Sequence, residues 1–340
     1  MGCLSSKQKA TVSTPNIRPR RLSTLLDDDQ ENDICRSQSF PKLPTVEAAL
    51  GQRRASYFVQ DIDPRTYILS HASHSLDGLD SGKRKLNQDR LLVHMSESCC
   101  IFGVFDGHGK NGHLCSSYFE RHLAEVCIKH LHSTLNTTDA IRSTFEELEN
   151  SMIHSGYDCQ FSGTTATVVL VTNAKIYVAW VGDSPGFVVT QNRLRNITKL
   201  HNFEDERESH RIVQAGGTVA RCTSAGDFIG PLRAFFPKTM IPGLAMSRSL
   251  GDTMSKKIGI ISQPDVTIQT LDGDDKFILL CSDGLTEFID PDQILDAFNK
   301  DDSLEKISIA LNTQAQAKWL EEEFQSSDDI SCLIVQLCTL

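Results

Sequence analysis

Two apolar runs that each stop at an Asp-Gly pair constrain this 340-residue chain more than any other feature of its sequence. Residues 101–105 run into Asp106-Gly107-His108-Gly109, and residues 277–281 run into Ser282-Asp283-Gly284. Each run has the length of a buried strand, and the glycines predict a tight loop at its end. A single Asp-Gly pair is also typical of an ordinary turn. The repeated pattern predicts strand ends that present carboxylates beside backbone that a ligand can approach closely.

Further acids share this setting, because Gly or Ser borders them at predicted strand ends. Carboxylates gathered at one edge of a sheet repel one another unless cations neutralise them. Oxygen ligands without a matching His and Cys set favour magnesium or manganese over zinc. Each acid alone would more often be a turn or cap residue. The six candidates are Asp89, Asp106, Asp183, Asp252, Asp283 and Asp328.

Hydrophobic periodicity predicts strands and helices that come in runs instead of alternating strictly. This order favours an α+β fold over a doubly wound parallel sheet. The predicted strands are 91–93, 100–105, 167–172, 175–181, 266–268, 276–281 and 330–337. The predicted helices are 114–131, 138–154, 204–215, 291–299 and 303–320. The segment 221–242 has no clear period and is predicted to form a flap near the site, where Phe228, Phe235 and Phe236 either shape substrate choice or pack the loop.

Charge and composition narrow the function classes. The net charge of −10 argues against broad nucleic-acid binding. The 11 cysteines are scattered without CxxC spacing, so we interpret them as reduced thiols that mostly fill the core. Residues 1–64 are rich in Ser, Thr, Pro, Gln and charge, which predicts a disordered tail before a folded domain at 65–340. No apolar run is long enough to span a membrane.

The first six residues, Met1-Gly2-Cys3-Leu4-Ser5-Ser6, fit the N-myristoylation pattern with Gly2 as the acceptor. A chance match is the alternative. One myristoyl chain binds a bilayer only marginally, but Cys3 offers a second acylation site and five basic residues follow before the first acid. We therefore expect a cytoplasmic protein attached peripherally to a membrane, with the plasma membrane favoured.

Three serines in the tail are candidate phosphorylation sites. Ser23 and Ser56 each follow an arginine pair, a pattern that basic-directed kinases prefer. Ser39 lies in Arg36-Ser37-Gln38-Ser39-Phe40-Pro41, which resembles the phosphoserine motif read by 14-3-3 adaptors. Phosphate near the basic segment would weaken its attraction to an anionic membrane.

Eight short motifs, in order, resemble those of the metal-dependent Ser/Thr protein phosphatases, the PPM or type 2C family. The resemblance covers about residues 66–340 and implies a metal-dependent protein phosphatase domain at 65–340. It implies a β-sandwich of two antiparallel sheets flanked by helices, a four-layer αββα arrangement, and a monomer acting on phosphoproteins. The motifs are Arg84 with Asn87-Gln88-Asp89, residues 104–109, Ser162-Gly163-Thr164-Thr165-Ala166, Val181-Gly182-Asp183-Ser184, Arg211-Ile212 with Gly216-Gly217, residues 244–252, Ser282-Asp283-Gly284 and residues 327–331.

The same resemblance implies a role for each site residue. Asp106 would bridge two Mg²⁺ or Mn²⁺ ions, and the Gly107 carbonyl would complete the shell of one. Asp283 and Asp328 would hold the other ion, while Asp89, with Gln88, would contact metal-bound water. Arg84 would grip the substrate phosphate, and His108 would protonate the leaving serine or threonine oxygen. A metal-bridging hydroxide would attack phosphorus directly, so no cysteine or serine nucleophile is needed.

The sequence departs from the family pattern in three respects. Gln88 stands where many relatives carry Glu, Pro185 replaces an Arg, and Leu200 occupies the place of an acid that holds a third metal ion. Leu200, together with Glu287 in place of a companion Asp, argues against a third site. Leu200 and Gln88 leave open a membrane-tethered pseudophosphatase that binds phosphoproteins without turnover. A purely structural cation-stabilised domain is a further alternative, although it leaves Arg84 unexplained.

Overall fold

The computed structural model describes residues 67–338 except for 135, 173–174, 225–226, 301 and 324. The predicted tail, with Gly2, Cys3, Ser23, Ser39 and Ser56, therefore lies outside the described residues. No helix in the described part of the chain is both long and apolar enough to cross a membrane.

Two five-stranded antiparallel sheets form the centre of the fold. The first sheet has the order β1-β18-β17-β10-β11, and the second has the order β16-β9-β8-β5-β4. The strands of the first sheet are β1 (Ile68–Leu76), β10 (Gly186–Val189), β11 (Leu194–Asn196), β17 (Phe277–Cys281) and β18 (Ile330–Leu337). Those of the second are β4 (Arg90–Met95), β5 (Cys100–Phe105), β8 (Ala166–Val171), β9 (Ile176–Val181) and β16 (Asp265–Gln269).

Helices cover the outer face of each sheet. In β5, Phe102 and Val104 face the first sheet, while Ile101 and Phe105 pack against the helices on the other side. This double burial explains why β5 carries no polar side chain at any position. The helices α1 (Gly112–Ser133) and α2 (Thr137–Ile153) cover the second sheet, and α5 (Pro291–Phe298) and α6 (Leu304–Glu322) cover the first. The predicted four-layer αββα sandwich is confirmed.

Local signals set the helix ends. The side chain of Asn136 accepts a hydrogen bond from Thr138 N at the start of α2, and Ser303 caps α6 in the same way through Lys306 N. Asp290 and Gln293 form a capping box around the Pro291 that begins α5. The buried residues of α1 include Cys115, and eight of the nine described cysteines are buried, as core filler should be.

The flap is more regular than the sequence predicts. It forms a three-stranded antiparallel sheet of β12 (Thr218–Ser224), β13 (Asp227–Phe235) and β14 (Pro242–Leu244) beside α3 (Glu206–Gln214). Phe235 is 3% exposed and packs with Ile212 and Ile258, and Phe236 lies against the same cluster. Phe228 is 77% exposed near the β12–β13 turn. Two of the three aromatic residues therefore pack the flap, and one faces solvent.

Short strands tie the motif loops together at one end of the sandwich. The strands β6 (Gly107–His108), β7 (Gly163–Thr164) and β15 (Leu250–Gly251) form one small sheet in the order β15-β7-β6. A second pair, β2 (Leu79–Asp80) and β3 (Lys83–Arg84), forms a hairpin. The short helix α4 (Asp283–Thr286) follows β17. Motifs that are remote in sequence thus become neighbours.

Candidate active site

Four of the predicted metal-binding carboxylates meet at one end of the sandwich. Asp106 follows β5 and Asp89 precedes β4 in one sheet, while Asp283 follows β17 and Asp328 precedes β18 in the other. Burial raises the pKa of Asp106, and Asp89, Asp283, Asp328 and Asp183 raise it further by repulsion. The predicted gathering of acids at one edge is therefore present, and it draws on both sheets.

Asp89 is the most deeply buried of these acids. Its Oδ2 accepts a hydrogen bond of 2.8 Å from Ser282 Oγ, but its Oδ1 has no hydrogen-bond partner among the described residues. Burial, followed by repulsion from Asp329 and Asp328, raises the pKa of this carboxyl. A buried carboxylate in this state is costly unless a cation or an ordered water compensates it.

The donor set fits a hard divalent cation by charge and by chemistry. It consists of carboxylate oxygens around Asp106 together with the nearby backbone of Gly107, as Mg²⁺ and Mn²⁺ prefer. In the part of the chain that the structure describes, no three His, Cys, Asp or Glu side chains converge as a ready-made ligand cage.

Lys85 contacts this group of acids directly. Its Nζ donates to Asp328 Oδ1 over 2.8 Å and lies 4.0 Å from Asp329 Oδ2. Burial opposes the charged ammonium, but Asp328 and Asp329 raise the pKa of Lys85, so it is a cation at neutral pH. Two backbone hydrogen bonds hold the Asp329 carboxylate in place, because it accepts from Gly78 N (2.6 Å) and from Gln88 N (3.0 Å).

His108 is held by a buried carboxylate. Its Nε2 lies 2.6 Å from Asp252 Oδ2, and Asp252 is fully buried with a positive φ of 47°. Burial lowers the pKa of His108, but Asp252 raises it by charge and hydrogen bonding, and the net direction is upward. The other ring atom, Nδ1, has no hydrogen-bond partner among the described residues.

Gly163 makes this contact possible. A Cβ at Gly163 would lie 2.5 Å from Asp252 Oδ2 and 3.0 Å from His108 Nε2. Sterics therefore explain the glycine of the Ser-Gly-Thr motif, since only glycine leaves room for the His108–Asp252 pair between β6 and β15. Gly107 is equally confined, because a Cβ there would lie 2.6 Å from the carbonyl oxygens of Gln88 and Gly112.

Among the described residues, the structure does not bring Arg84 against the predicted metal-binding carboxylates. Its side chain is 83% exposed, and its NH1 lies 3.7 Å from Asp77 Oδ2. It stands on the β2–β3 hairpin, directly before Lys85. Its role in binding a substrate phosphate stays a prediction.

The structure describes Leu200, which occupies the place of the acid that would hold a third metal ion. Leu200 is partly exposed, and its neighbour His201 is buried with its ring stacked 5.8 Å from Trp180. His201 Nδ1 accepts from Gly182 N over 3.2 Å, and its Nε2 lies 3.3 Å from Asp265 Oδ2. His201 therefore supports the Gly182-Asp183 loop as a structural residue.

Sequence reasoning missed the contacts of three residues at the site. Asp252 was among the six candidate acids, but its pairing with His108 was not predicted, because that contact spans 144 residues. Asp329 and Lys85 received no role, since a Lys in a polar loop and an acid beside another acid both read as solvated. The only sequence signal for Asp329 was its position directly before the last predicted strand.

Comparisons with known proteins give a consistent picture. A family model described as Protein phosphatase 2C matches residues 79–323. Probable protein phosphatase 2C 35 of Arabidopsis thaliana is 30% identical over 296 residues, which cover 79% of this chain and 83% of that protein. Protein phosphatase fem-2 of Caenorhabditis elegans is 29% identical over 276 residues, covering 74% of this chain and 56% of that protein.

Two solved structures share the fold. That of a C. elegans sex determining protein superposes with a TM-score of 0.64 at 27% identity, covering 79% of this chain and 65% of the other. That of a serine-threonine phosphatase 2C from Toxoplasma gondii gives a TM-score of 0.64 at 20% identity, covering 80% of this chain and 97% of the other. The second likeness is evidence for the fold alone.

Proposed function

This chain belongs to the protein phosphatase 2C family of protein serine/threonine phosphatases, and we propose that it hydrolyses phosphoserine and phosphothreonine in a metal-dependent reaction at the carboxylate end of its sandwich. The observation that carries the proposal is the set of buried acids around Asp106, drawn from both sheets beside His108.

The metal ions are assigned to Asp89, Asp106, Asp283 and Asp328, with the Gly107 carbonyl as a further donor. Divalent ions held there would supply Lewis-acid chemistry, namely activation of water and stabilisation of negative charge on the phosphoryl group. The repulsion that raises the pKa of Asp106 and Asp89 supports the assignment, because positive charge there would relieve it.

His108 supplies the proton in the proposed reaction. Asp252 accepts from Nε2, which fixes the orientation of the ring and leaves Nδ1 without a hydrogen-bond partner among the described residues. The nearby carboxylate also favours the protonated imidazolium. Nδ1 would then donate its proton to the leaving serine or threonine oxygen.

Arg84 is assigned to the substrate phosphate on the family resemblance. Its exposure on the β2–β3 hairpin leaves the guanidinium accessible from solvent, as recognition of an incoming phosphate requires. Guanidinium groups bind phosphate through two parallel hydrogen bonds.

Phosphate release from a phosphothreonine peptide tests the proposal. The full chain is assayed with Mn²⁺ or Mg²⁺ titrated, beside Asp106→Asn and the control Asp296→Asn on the exposed face of α5. We expect metal-dependent release that Asp106→Asn abolishes and Asp296→Asn retains. Phosphopeptide binding without release from the folded protein would refute turnover and identify the pseudophosphatase.

We further propose that the N-terminal segment attaches the enzyme to the inner membrane surface through acylation of Gly2 and Cys3. The pattern at residues 1–6 and the five basic side chains that follow support this proposal. Regulation at Ser23, Ser39 and Ser56, including 14-3-3 binding at Ser39, stays a prediction from the sequence.

A further inference from the structure

Lys85 brings a positive charge to the carboxylate end of the sandwich. It directly follows β3, and its Nζ donates to Asp328 Oδ1 over 2.8 Å. The same Nζ lies 4.0 Å from Asp329 Oδ2, so one ammonium faces two neighbouring carboxylates.

The lysine stem runs against the backbone of Gly78, while the side chain as a whole is 38% exposed. A Cβ on Gly78 would overlap Lys85 Cε, so the absence of a side chain at Gly78 opens the path that the lysine stem follows. The backbone on both sides is fixed, because Lys85 N donates to Gly78 O over 2.9 Å and Asp329 Oδ1 accepts from Gly78 N over 2.6 Å. The ion pair is therefore built into the loop packing.

Asp328 Oδ1 already has two donors. It accepts from Lys85 Nζ and, over 2.8 Å, from the backbone N of Asp329. These two donors use both lone pairs of Oδ1, so a divalent cation that binds this oxygen must displace one of them. The ammonium is the donor that can leave, because it stands on a flexible side chain and its positive charge repels the cation.

We propose that Lys85 is a tethered cation that holds Asp328 while no divalent ion is bound, and that it thereby sets the metal affinity of the site. This inference rests on the proposed metal-dependent function. Lys85 compensates buried negative charge in the metal-free protein and gives up Asp328 when a metal ion arrives.

The expected size of the effect follows from competition. If the ion pair holds nine molecules in ten, the apparent dissociation constant is raised about tenfold over that of the open site. Removal of the ammonium should therefore tighten divalent binding by about tenfold. A lysine that merely orients Asp328 for the metal would have the opposite effect, since its removal would weaken binding.

The test measures Mn²⁺ binding to the full chain by titration calorimetry, without substrate. Lys85→Met removes the charge but keeps the length of the side chain. Lys83→Met is the matched control, because Lys83 is exposed on the same hairpin and its loss changes the net charge equally. Thermal unfolding without metal is a second readout.

We expect Lys85→Met to bind Mn²⁺ about tenfold more tightly than the wild type and Lys83→Met to match the wild type. Without metal, Lys85→Met should unfold at a lower temperature than both the wild type and Lys83→Met. Unchanged or weaker Mn²⁺ binding by folded Lys85→Met would overturn the inference while leaving the proposed function intact. Failure of all three proteins to bind Mn²⁺ would overturn both.

Discussion

Buried acids at the end of the sandwich differ in what compensates their charge. Asp329 accepts two backbone N–H groups, Asp328 pairs with Lys85, and Asp89 has one oxygen without a hydrogen-bond partner in the described part of the chain. Burial, together with repulsion among the acids, raises the pKa of Asp89, Asp106 and Asp329. Such a group is stable only in company with cations, which is the physical basis of the proposed metal dependence.

Among single residues, Asp252→Asn tests how Asp252 positions and charges His108. The asparagine tolerates the positive φ but removes the charge that orients and protonates the imidazole. We expect kcat on a phosphothreonine peptide to fall about 100-fold, within the range of general acid catalysis.

The control for this prediction is an aryl phosphate, whose leaving group departs without a proton. The loss on that substrate should be clearly smaller, and Mn²⁺ binding should be unchanged. An equal loss on both substrates would show that Asp252 acts only on local structure.

Among the elements, α3 depends on an ionic network around one buried carboxylate. Glu208 accepts from Arg248 NH2 and Arg211 NH2, each over 2.7 Å, and from Ser247 Oγ over 2.6 Å. Burial alone would raise the pKa of Glu208, but these partners lower it to about 2. Relative to its ordinary value of 4.5, this shift corresponds to stabilisation on the order of 3 kcal/mol at neutral pH.

Glu208→Gln should therefore destabilise the protein in a pH-dependent way. A lowered carboxyl pKa stabilises the fold above the unfolded value and loses that contribution as the pH falls toward the folded value. Urea unfolding should show a gap between wild type and variant of about 3 kcal/mol at pH 6.5. The gap should narrow by about 1 kcal/mol at pH 3.5. A gap that stays constant across this range would contradict the proposed charge network.

The flap offers a matched pair of aromatic residues on one strand. Phe235 is buried in the cluster with Ile212, whereas Phe228 on the same β13 is exposed. Phe235→Ala should lower the free energy of unfolding by about 3–5 kcal/mol. Phe228→Ala should change it by less than about 0.5 kcal/mol. Urea unfolding measures both, and similar losses for the two variants would be inconsistent with this packing.

For the whole molecule, the layers of the sandwich could be predicted from the sequence because the strongest sequence signals are local. The predicted bounds of β18 and β5 match the structure, since both are apolar runs buried on both faces. The strand β10, which directly follows Pro185, was missed because four residues carry too little pattern. The flap strands were missed because their mixed exposure lacks a clean alternation.

The sequence likewise predicted part of the site. Acids at strand ends carry a local signal, so Asp106 and Asp283 were identified from sequence. The pairing of His108 with Asp252 depends on three short strands from distant segments, and the contact of Lys85 with Asp328 spans 243 residues. Such contacts follow from the packed fold and leave no periodic trace.

Membrane attachment is also a property of the whole chain. Gly2→Ala removes the acceptor of the myristoyl group, so the full-length protein should move from the membrane fraction to the soluble fraction of a cell lysate. Its phosphate release in solution should equal that of the wild type, because the substitution leaves unchanged every residue assigned to the metal ions, the phosphate and the proton. Retention of the variant on membranes would rule out acylation at this glycine as the anchor.

Anomalous scattering from crystals grown with Mn²⁺ tests the central claim most directly. Data collected above the manganese absorption edge should show two peaks roughly 4 Å apart, bridged by Asp106. One peak should contact Asp283 and Asp328, with the ammonium of Lys85 displaced from Asp328. Manganese peaks elsewhere, with none at these carboxylates, would contradict a two-metal phosphatase centred on Asp106.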